Sequence, residues 1–230
     1  MKNYNNPLYL QKIIRLYHFE EIFPTIRKMP VQLFSYEADE IILAEGQPMD
    51  ALLYLVEGKI KATASVGNGK SLLLRFNQPL SIVGDIEWVR RIDVQSQITA
   101  VTDCIFLAVP FEHLYQHEMK NALFLQDLLQ QVTYKLQTNT TASRVNLLAS
   151  VDQRFASYLL SVKSTENRFG VEMHTENSSE IADLLGTTQR HLNRVIKKLM
   201  EQGIIEKQQR KIRILDEGAL EQLAQGMRYE

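Results

Sequence analysis

The sequence has a single cysteine, no long apolar run and no excess of charge of either sign. Cys104 is the only thiol among 230 residues, so the chain cannot form an internal disulfide or supply the ligands of a four-thiolate zinc site. It also lacks the N-terminal cysteine cluster that an iron–sulfur cofactor needs. No stretch reaches the ~18 uncharged apolar residues that span a bilayer, and the start lacks a signal-peptide core. We therefore expect a cytoplasmic protein without membrane contact or an iron–sulfur cluster.

The charge balance is neutral overall but uneven along the chain. There are 26 Lys and Arg residues against 27 Asp and Glu residues, a net charge of −1. Residues 189–213 contain eight basic and two acidic residues, so this segment carries +6 and the remainder −7. Such segregation is typical of a protein with one phosphate-facing surface.

The first half of the chain has short β-type runs separated by turn residues. They indicate an antiparallel sandwich or barrel, and Gly67-Asn68-Gly69 is the clearest hairpin turn. The runs comprise residues 40–43, 51–56, 59–63, 71–76, 96–101 and 105–109. Cys104 lies in a predicted strand, and we expect it to be a small buried apolar residue.

After Pro110 the pattern becomes helical. Residues 111–116 can form a short helix, and from Asn121 there is no Pro or Gly until Gly170. Heptad spacing predicts a dimer seam along this long helix, although a core helix packed within one protomer has the same pattern. The seam residues are Leu125, Leu129, Val132 and Leu136. A break near residues 150–152 then starts another amphipathic helix, for which Asp152 is our predicted N-cap.

Residues 178–198 meet the requirements of a helix-turn-helix. Ala182 is small enough for a helix crossing, and Gly186 can adopt the positive φ of the turn. Apolar residues 181, 185, 192 and 195 close the corner, and Thr188 can cap the second helix. Residues 204–215 predict two short strands with a basic tip, so the whole segment indicates a winged helix.

A helix-turn-helix places the exposed start of its second helix, here 188–200, in the major groove. Arg190 and Arg194 are candidates for guanine and Gln189 for adenine, whereas the other cations and the hydroxyls suit phosphates. The predicted DNA-binding residues are Ser178, Ser179, Thr188, Gln189, Arg190, Asn193, Arg194, Lys197, Lys198, Lys211 and Arg213.

These elements together resemble the Crp/Fnr (cyclic-AMP receptor protein/FNR) family of bacterial transcription regulators. The resemblance covers roughly residues 31–215 and depends in the N-terminal half on the segments 41–60, 67–76 and 81–87. In detail the chain looks most like the YeiL-type subgroup. The resemblance implies an α+β fold with an N-terminal antiparallel β-roll, a cyclic-nucleotide-binding-like double-stranded β-helix. A long dimerisation helix and a C-terminal winged helix-turn-helix follow, with domains at 1–118, 119–150 and 151–230.

The departures from the family pattern concern the effector. Members that bind cyclic AMP have Gly-Glu and then Arg-Ser, where this chain has Gly84-Asp85 and Val94-Gln95, so we do not expect cyclic-AMP dependence. The sequence leaves two alternatives: the effector is an unknown small molecule, or the protein acts without an effector. The candidate effector residues are Gly84, Asp85, Asn139, Thr140 and Thr141. His113 and His117 could hold a metal or haem, but we expect a solvated helix face and no metal.

The sequence therefore predicts a homodimeric, sequence-specific DNA-binding transcription regulator that reads a palindromic operator. The resemblance adds RNA polymerase as a partner. Because the family often reads a base with a glutamate where this chain has Arg190, the target should differ from the usual consensus. The alternative is a small-molecule sensor that acts through a protein partner. No nucleophile–base pair or phosphate loop indicates an enzyme.

Overall fold

The computed structural model describes residues 2–65, 71–164 and 168–229. The chain forms two compact units. The first comprises the chain up to Ala64 together with Phe76–Lys135, and the second comprises Ser65–Arg75 together with the chain from Leu136 onward. The predicted hairpin turn at residues 67–69 lies outside the described residues.

The N-terminal half is built on two antiparallel sheets, which confirms the predicted β architecture. One sheet has the order β1-β2-β9-β4-β7 and the other the order β3-β8-β5-β6. The strands are β1 Lys2–Asn3, β2 Gln32–Tyr36, β3 Ile41–Leu43, β4 Ala51–Glu57, β5 Ile60–Ser65, β6 Ser71–Asn77, β7 Ile82–Val83, β8 Gln97–Ala100 and β9 Cys104–Pro110.

Helices cover one side of the first unit and close its core. They are α1 Pro7–Leu16, α2 Phe19–Ile22, a 3-10 turn Ile26–Lys28, α3 Asp85–Arg90 and α4 Phe111–His113 with a π turn Leu114–Glu118. Aromatic side chains dominate the packing: Phe23 lies 6.1 Å from Tyr54 and 5.1 Å from Phe124, measured between ring centroids. The sequence analysis did not predict α1, α2 or α3.

The long helix α5 spans Ala122–Leu148, and its predicted seam is divided between two environments. Leu125 and Val132 are partly buried against the core of the first unit. Leu129 and Leu136 remain 61% and 66% exposed. The seam therefore contributes two residues to packing within the protomer and leaves two on the surface.

Of three local predictions, two are wrong and one is confirmed. The N-cap of helix α6 (Val151–Lys163) is Ser150, not Asp152, because the Ser150 hydroxyl accepts from the Gln153 amide and the Gln153 side chain accepts from the Ser150 amide. His113 does not lie on a solvated face, since its side chain is only 16% exposed and lies 3.7 Å from Glu118. Cys104 is buried as expected, and burial raises the pKa of its thiol.

The second unit continues from α6 through α7 Arg168–Met173, α8 Ser178–Leu184 and α9 Gln189–Glu201 to a two-stranded sheet and a last helix. The sheet pairs β10 Ile205–Gln208 with β11 Lys211–Ile214, and α10 spans Glu217–Ala224. The core of the second unit includes Phe155, Leu192 and Leu220, each 0% exposed. Within the described ranges, no helix is long and apolar enough to cross a membrane, and no group of three His, Cys, Asp or Glu side chains is placed to hold a metal.

Candidate nucleic-acid interface

Helices α8 and α9 pack against each other across the predicted turn. All four apolar residues that close the corner are at most 3% exposed, and Ala182 at the crossing is 1% exposed; the four are Ile181, Leu185, Leu192 and Val195. Gly186 has φ +59° in the turn, a conformation that an L side chain adopts only with strain. The Thr187 amide then donates to the Ala182 carbonyl at 2.9 Å. Apolar burial and the glycine turn therefore fix the direction in which α9 leaves the corner.

Arg154 of α6 stabilises the same corner by hydrogen bonds to two backbone carbonyls. Its Nε donates to the Ala149 carbonyl at 2.8 Å, and its Nη1 donates to the Leu185 carbonyl at 2.9 Å. Both acceptors lie at helix C-termini, where carbonyls lack intrahelical partners and cations are favoured. The sequence analysis missed this role, because a lone arginine in an amphipathic helix does not reveal which distant carbonyls it will reach.

Asn146 links the long helix to the corner. Its Nδ2 donates to the Leu184 carbonyl at 3.0 Å, and its Oδ1 accepts from the hydroxyl of Tyr229 at 2.7 Å. Tyr229 is 0% exposed, and its amide donates to the Ser161 hydroxyl at 2.9 Å. The C-terminal half of α5, helix α8 and the chain end are thus joined by one polar network in the second unit.

The start of α9 is capped and presents polar side chains. The Thr188 hydroxyl accepts from the His191 amide at 3.2 Å, as expected of an N-cap. Gln189, Arg190, Asn193 and Arg194 are all exposed. Leu192, Val195 and Ile196 on the opposite side are buried. Helix α9 therefore buries one face and offers the predicted reading positions on the other.

The cations of this surface fall into two classes that the sequence did not distinguish. Among the described residues, no carboxylate oxygen lies within 4.0 Å of Arg190, Arg194 or Arg210. The other predicted cations have ion-pair partners: Lys197 with Glu201 at 3.7 Å, Lys198 with Asp152 at 2.5 Å, Lys211 with Glu176 at 4.0 Å and Arg213 with Glu206 at 3.6 Å. The unpaired arginines thus lie at the start of α9 and at the tip of the wing.

The N-terminus of α8 contains two of the predicted DNA-binding residues, Ser178 and Ser179. Asn177 is its N-cap and accepts from the Ser179 amide at 3.0 Å. Ser178 is partly buried, and its hydroxyl accepts from Lys207 of β10 at 3.3 Å. Ser179 is exposed. The sequence analysis missed Asn177 and Lys207 as organising residues and omitted Arg210 from the site, although the charge of the wing pointed to that arginine.

Two of the candidate effector residues lie in the first unit, at the start of α3. Gly84 has φ +94°, and a Cβ at this position would meet the Met49 side chain at 2.6 Å. Asp85 is 3% exposed, and its two carboxylate oxygens lie 2.8 and 2.9 Å from the Lys135 Nζ. The Asp85 carboxylate is therefore already engaged by an internal cation.

The other three candidate effector residues lie on α5 in the second unit. Arg75 of β6, itself 5% exposed, donates to Asn139 and, at 2.8 Å, to Thr138. The Thr140 hydroxyl donates to the Leu136 carbonyl at 2.8 Å, and Thr141 is buried. The sequence analysis missed Arg75, although this residue stands within the β-strand segment 67–76 that carries the family resemblance.

Comparison with known proteins identifies both halves of the chain. The cyclic nucleotide-binding domain matches residues 33–121, and the Crp-like helix-turn-helix domain matches residues 153–223. The regulatory protein YeiL of Escherichia coli O157:H7 is 27% identical over 81% of this chain and 83% of its own length. The cAMP-activated global transcriptional regulator CRP of Salmonella typhimurium is 22% identical over 75% of this chain and 84% of its own length.

Solved structures agree on the fold. FixK2 from Bradyrhizobium japonicum matches with a TM-score of 0.68 at 21% identity, covering 85% of this chain and 98% of that chain. The two domain matches together cover most of the chain. The exposed face of α9 and the basic wing both lie within the helix-turn-helix match. This chain belongs to the Crp/Fnr family of DNA-binding transcription regulators, which are not enzymes.

Proposed function

We propose that this chain works as a homodimer that reads a palindromic operator through helix α9. The observation that carries the proposal is the pair Arg190 and Arg194, exposed on α9 without a carboxylate within 4.0 Å among the described residues. An arginine that is free of internal partners can present its planar donors to guanine O6 and N7. We retain the predicted division into a sensor domain at 1–118, a dimerisation helix at 119–150 and a DNA-binding domain at 151–230.

Each reading position has a proposed role. Arg190 and Arg194 bind guanine, while Gln189 and Asn193 present amides that suit adenine. Thr188, Ser178 and Ser179 position the protein on phosphates together with Lys197, Lys198, Lys211 and Arg213. Ion-paired cations must leave a carboxylate to bind phosphate, so we assign Arg210 as the main phosphate ligand of the wing.

The exposed residues of α5 support the dimer. Leu129 and Leu136 are seven residues apart and project from the same face of the helix. Apolar side chains at heptad spacing that stay outside the core are typical of a helix seam between two protomers. A homodimer places two copies of α9 on one duplex, and contact with RNA polymerase then follows from the family resemblance.

The loop after α3 supports independence from cyclic AMP. The Gln95 amide, at a position where the family pattern has the Arg-Ser pair, donates to the Glu87 carboxylate at 3.0 Å. Glu87 is only 8% exposed. A buried carboxylate on this amide disfavours a phosphate there through like-charge repulsion, and Asp85 is bound by Lys135.

Selection of bound sequences from a random duplex pool, with the full-length protein at fixed salt, tests these statements together. We expect a two-fold symmetric motif with half-site centres about 34 Å apart, recovered equally with and without cyclic AMP. An asymmetric single half-site would contradict the dimer, and a motif that needs cyclic AMP would contradict the effector proposal. Recovery of no motif would favour action through a protein partner.

A further inference from the structure

The second unit contains a cavity that the DNA-binding proposal does not use. It has a volume of about 420 Å³ and is lined by α5, α6, α7, the α8–α9 corner and strand β6. Most of its wall is aliphatic, from Leu72, Leu74, Ala142, Leu147, Met173 and Leu184. Cavities of this volume with an apolar wall and a few polar groups are typical of small-molecule sites.

The polar groups of the cavity indicate the charge of its ligand. Asn139 and Asn146 already have hydrogen-bond partners on the protein. Among the described residues of the lining, Arg154 is the one that carries a charge, and none is Asp or Glu. Its guanidinium has five N–H donors, of which the bonds to Ala149 and Leu185 use two. Within the described part of the chain, no carboxylate lies within 4.0 Å of it.

We propose that this cavity binds a small amphipathic monocarboxylate. The aliphatic chain of the ligand lies against the leucines, and its carboxylate accepts hydrogen bonds from the remaining Arg154 donors. A partly buried cation without a carboxylate partner is costly, and a ligand carboxylate supplies the missing charge with bidentate geometry. This proposal concerns binding alone, and it holds whether or not α9 reads DNA as proposed.

A ligand bound in this cavity would also affect helix α9. The cavity wall includes Leu184 and Gly186 at the α8–α9 corner and Asn146 of α5, so a ligand contacts the residues that fix the direction of α9. A ligand that binds one arrangement of the corner more tightly changes the DNA affinity, and DNA changes the ligand affinity by the same factor. This second statement does rest on the proposed function.

Calorimetric titration of the full-length protein without DNA tests the binding. The probes are hexanoate, octanoate and decanoate, each below its micelle concentration, with octan-1-ol as the uncharged comparison. Each added pair of CH₂ groups should tighten binding by up to about fifteenfold, the equivalent of ~0.8 kcal/mol per CH₂. Octan-1-ol should bind at least about tenfold more weakly than octanoate, because it cannot accept charge-assisted hydrogen bonds. Equal binding of both, or no dependence on chain length, would overturn the proposal.

Two pairs of variants locate the site. Ala142→Phe fills the cavity and should abolish octanoate binding, whereas Gln137→Phe, at an exposed position of α5 outside the lining, should not. Ser143→Glu places a carboxylate in the lining and should weaken octanoate binding at least about tenfold, whereas the nearly isosteric Ser143→Gln should change it much less. Both Ser143 variants alter an exposed side chain, so they keep the test valid even if Ala142→Phe does not fold. Retention of octanoate binding by Ser143→Glu would overturn the proposal.

The linkage to DNA has its own measurement. Operator affinity is compared at zero and saturating octanoate, in the parent chain and in Ser143→Glu. A change that occurs in the parent and is lost in the variant supports the linkage. An unchanged affinity in a chain that demonstrably binds octanoate would overturn the linkage and leave the binding site intact.

Discussion

Replacing Arg194 by alanine tests whether α9 reads bases. Arg194 is exposed, and no described carboxylate lies within 4.0 Å of it. The substitution therefore breaks no ion pair among the described residues, and we expect any change in affinity to report its contact with DNA. A bidentate arginine–guanine contact contributes ~1–3 kcal/mol, and the proposed homodimer makes one in each half-site, so we expect the operator affinity to fall by about 30- to 25,000-fold. The melting temperature should stay nearly unchanged.

The assay is a fluorescence anisotropy titration on the selected operator and on duplexes with each half-site base pair replaced in turn. For a base contact, Arg194→Ala should lose its discrimination at one base pair and keep it at the others. Lys198→Ala is the matched comparison, because Lys198 is ion-paired with Asp152. It should weaken all sequences alike and by a smaller factor. Uniform weakening by Arg194→Ala, with the salt slope of the dimer reduced by about two, would refute base reading and place Arg194 on phosphate.

Three further sites give predictions about stability, two in the second unit and one in the first. Asn146→Ala removes the hydrogen bonds that this side chain makes with the buried Tyr229 hydroxyl and with the Leu184 carbonyl, so denaturant unfolding should show a loss of about 2–4 kcal/mol; a loss below about 0.5 kcal/mol would contradict the network. Ser150→Ala removes the N-cap of α6 and should lower the free energy of unfolding by about 1 kcal/mol. Asp152→Ala is the control, because Asp152 is not the N-cap, and it should lower the free energy of unfolding by less. Burial raises the pKa of Asp127, which accepts from the Tyr54 hydroxyl, so its ionisation opposes folding increasingly as pH rises through the folded-state pKa. Asp127→Asn should therefore raise the free energy of unfolding at neutral pH, with the gain disappearing toward pH 3; a loss at neutral pH would contradict it.

The helix-turn-helix could be predicted nearly residue by residue, because its constraints are local. The small residue at the crossing, the glycine in the turn and the cap at Thr188 all act within a few residues of one another. The strands could be predicted for a similar reason, since alternating or continuous apolar runs between turn residues leave few alternatives. For both, sequence spacing determines most of the geometry.

The remaining features depend on partners far away in the sequence. Arg75 reaches α5 across more than sixty residues, and Arg154 reaches the carbonyl of Leu185, the C-cap of α8, across thirty-one. The wrong prediction of Asp152 as the N-cap of α6 has the same cause. The Asp152 carboxylate pairs with Lys198 of α9, and Ser150 caps the helix. Polar side chains near a helix start have several possible partners, and the tertiary fold decides among them.

Partners that are distant in sequence also affect the net charge of residues 189–213. From the sequence, residues 189–213 carry +6, and every cation there counts equally. In the fold, Asp152 and Glu176, both outside that segment, lie against Lys198 and Lys211. These pairs are on the surface and individually weak, so they do not prevent phosphate binding, but each must be broken when a phosphate takes its place. General attraction to DNA is therefore lowered more than the proposed base reading by Arg190 and Arg194. Selectivity among sequences, rather than tight binding to any duplex, is what this arrangement of charges favours.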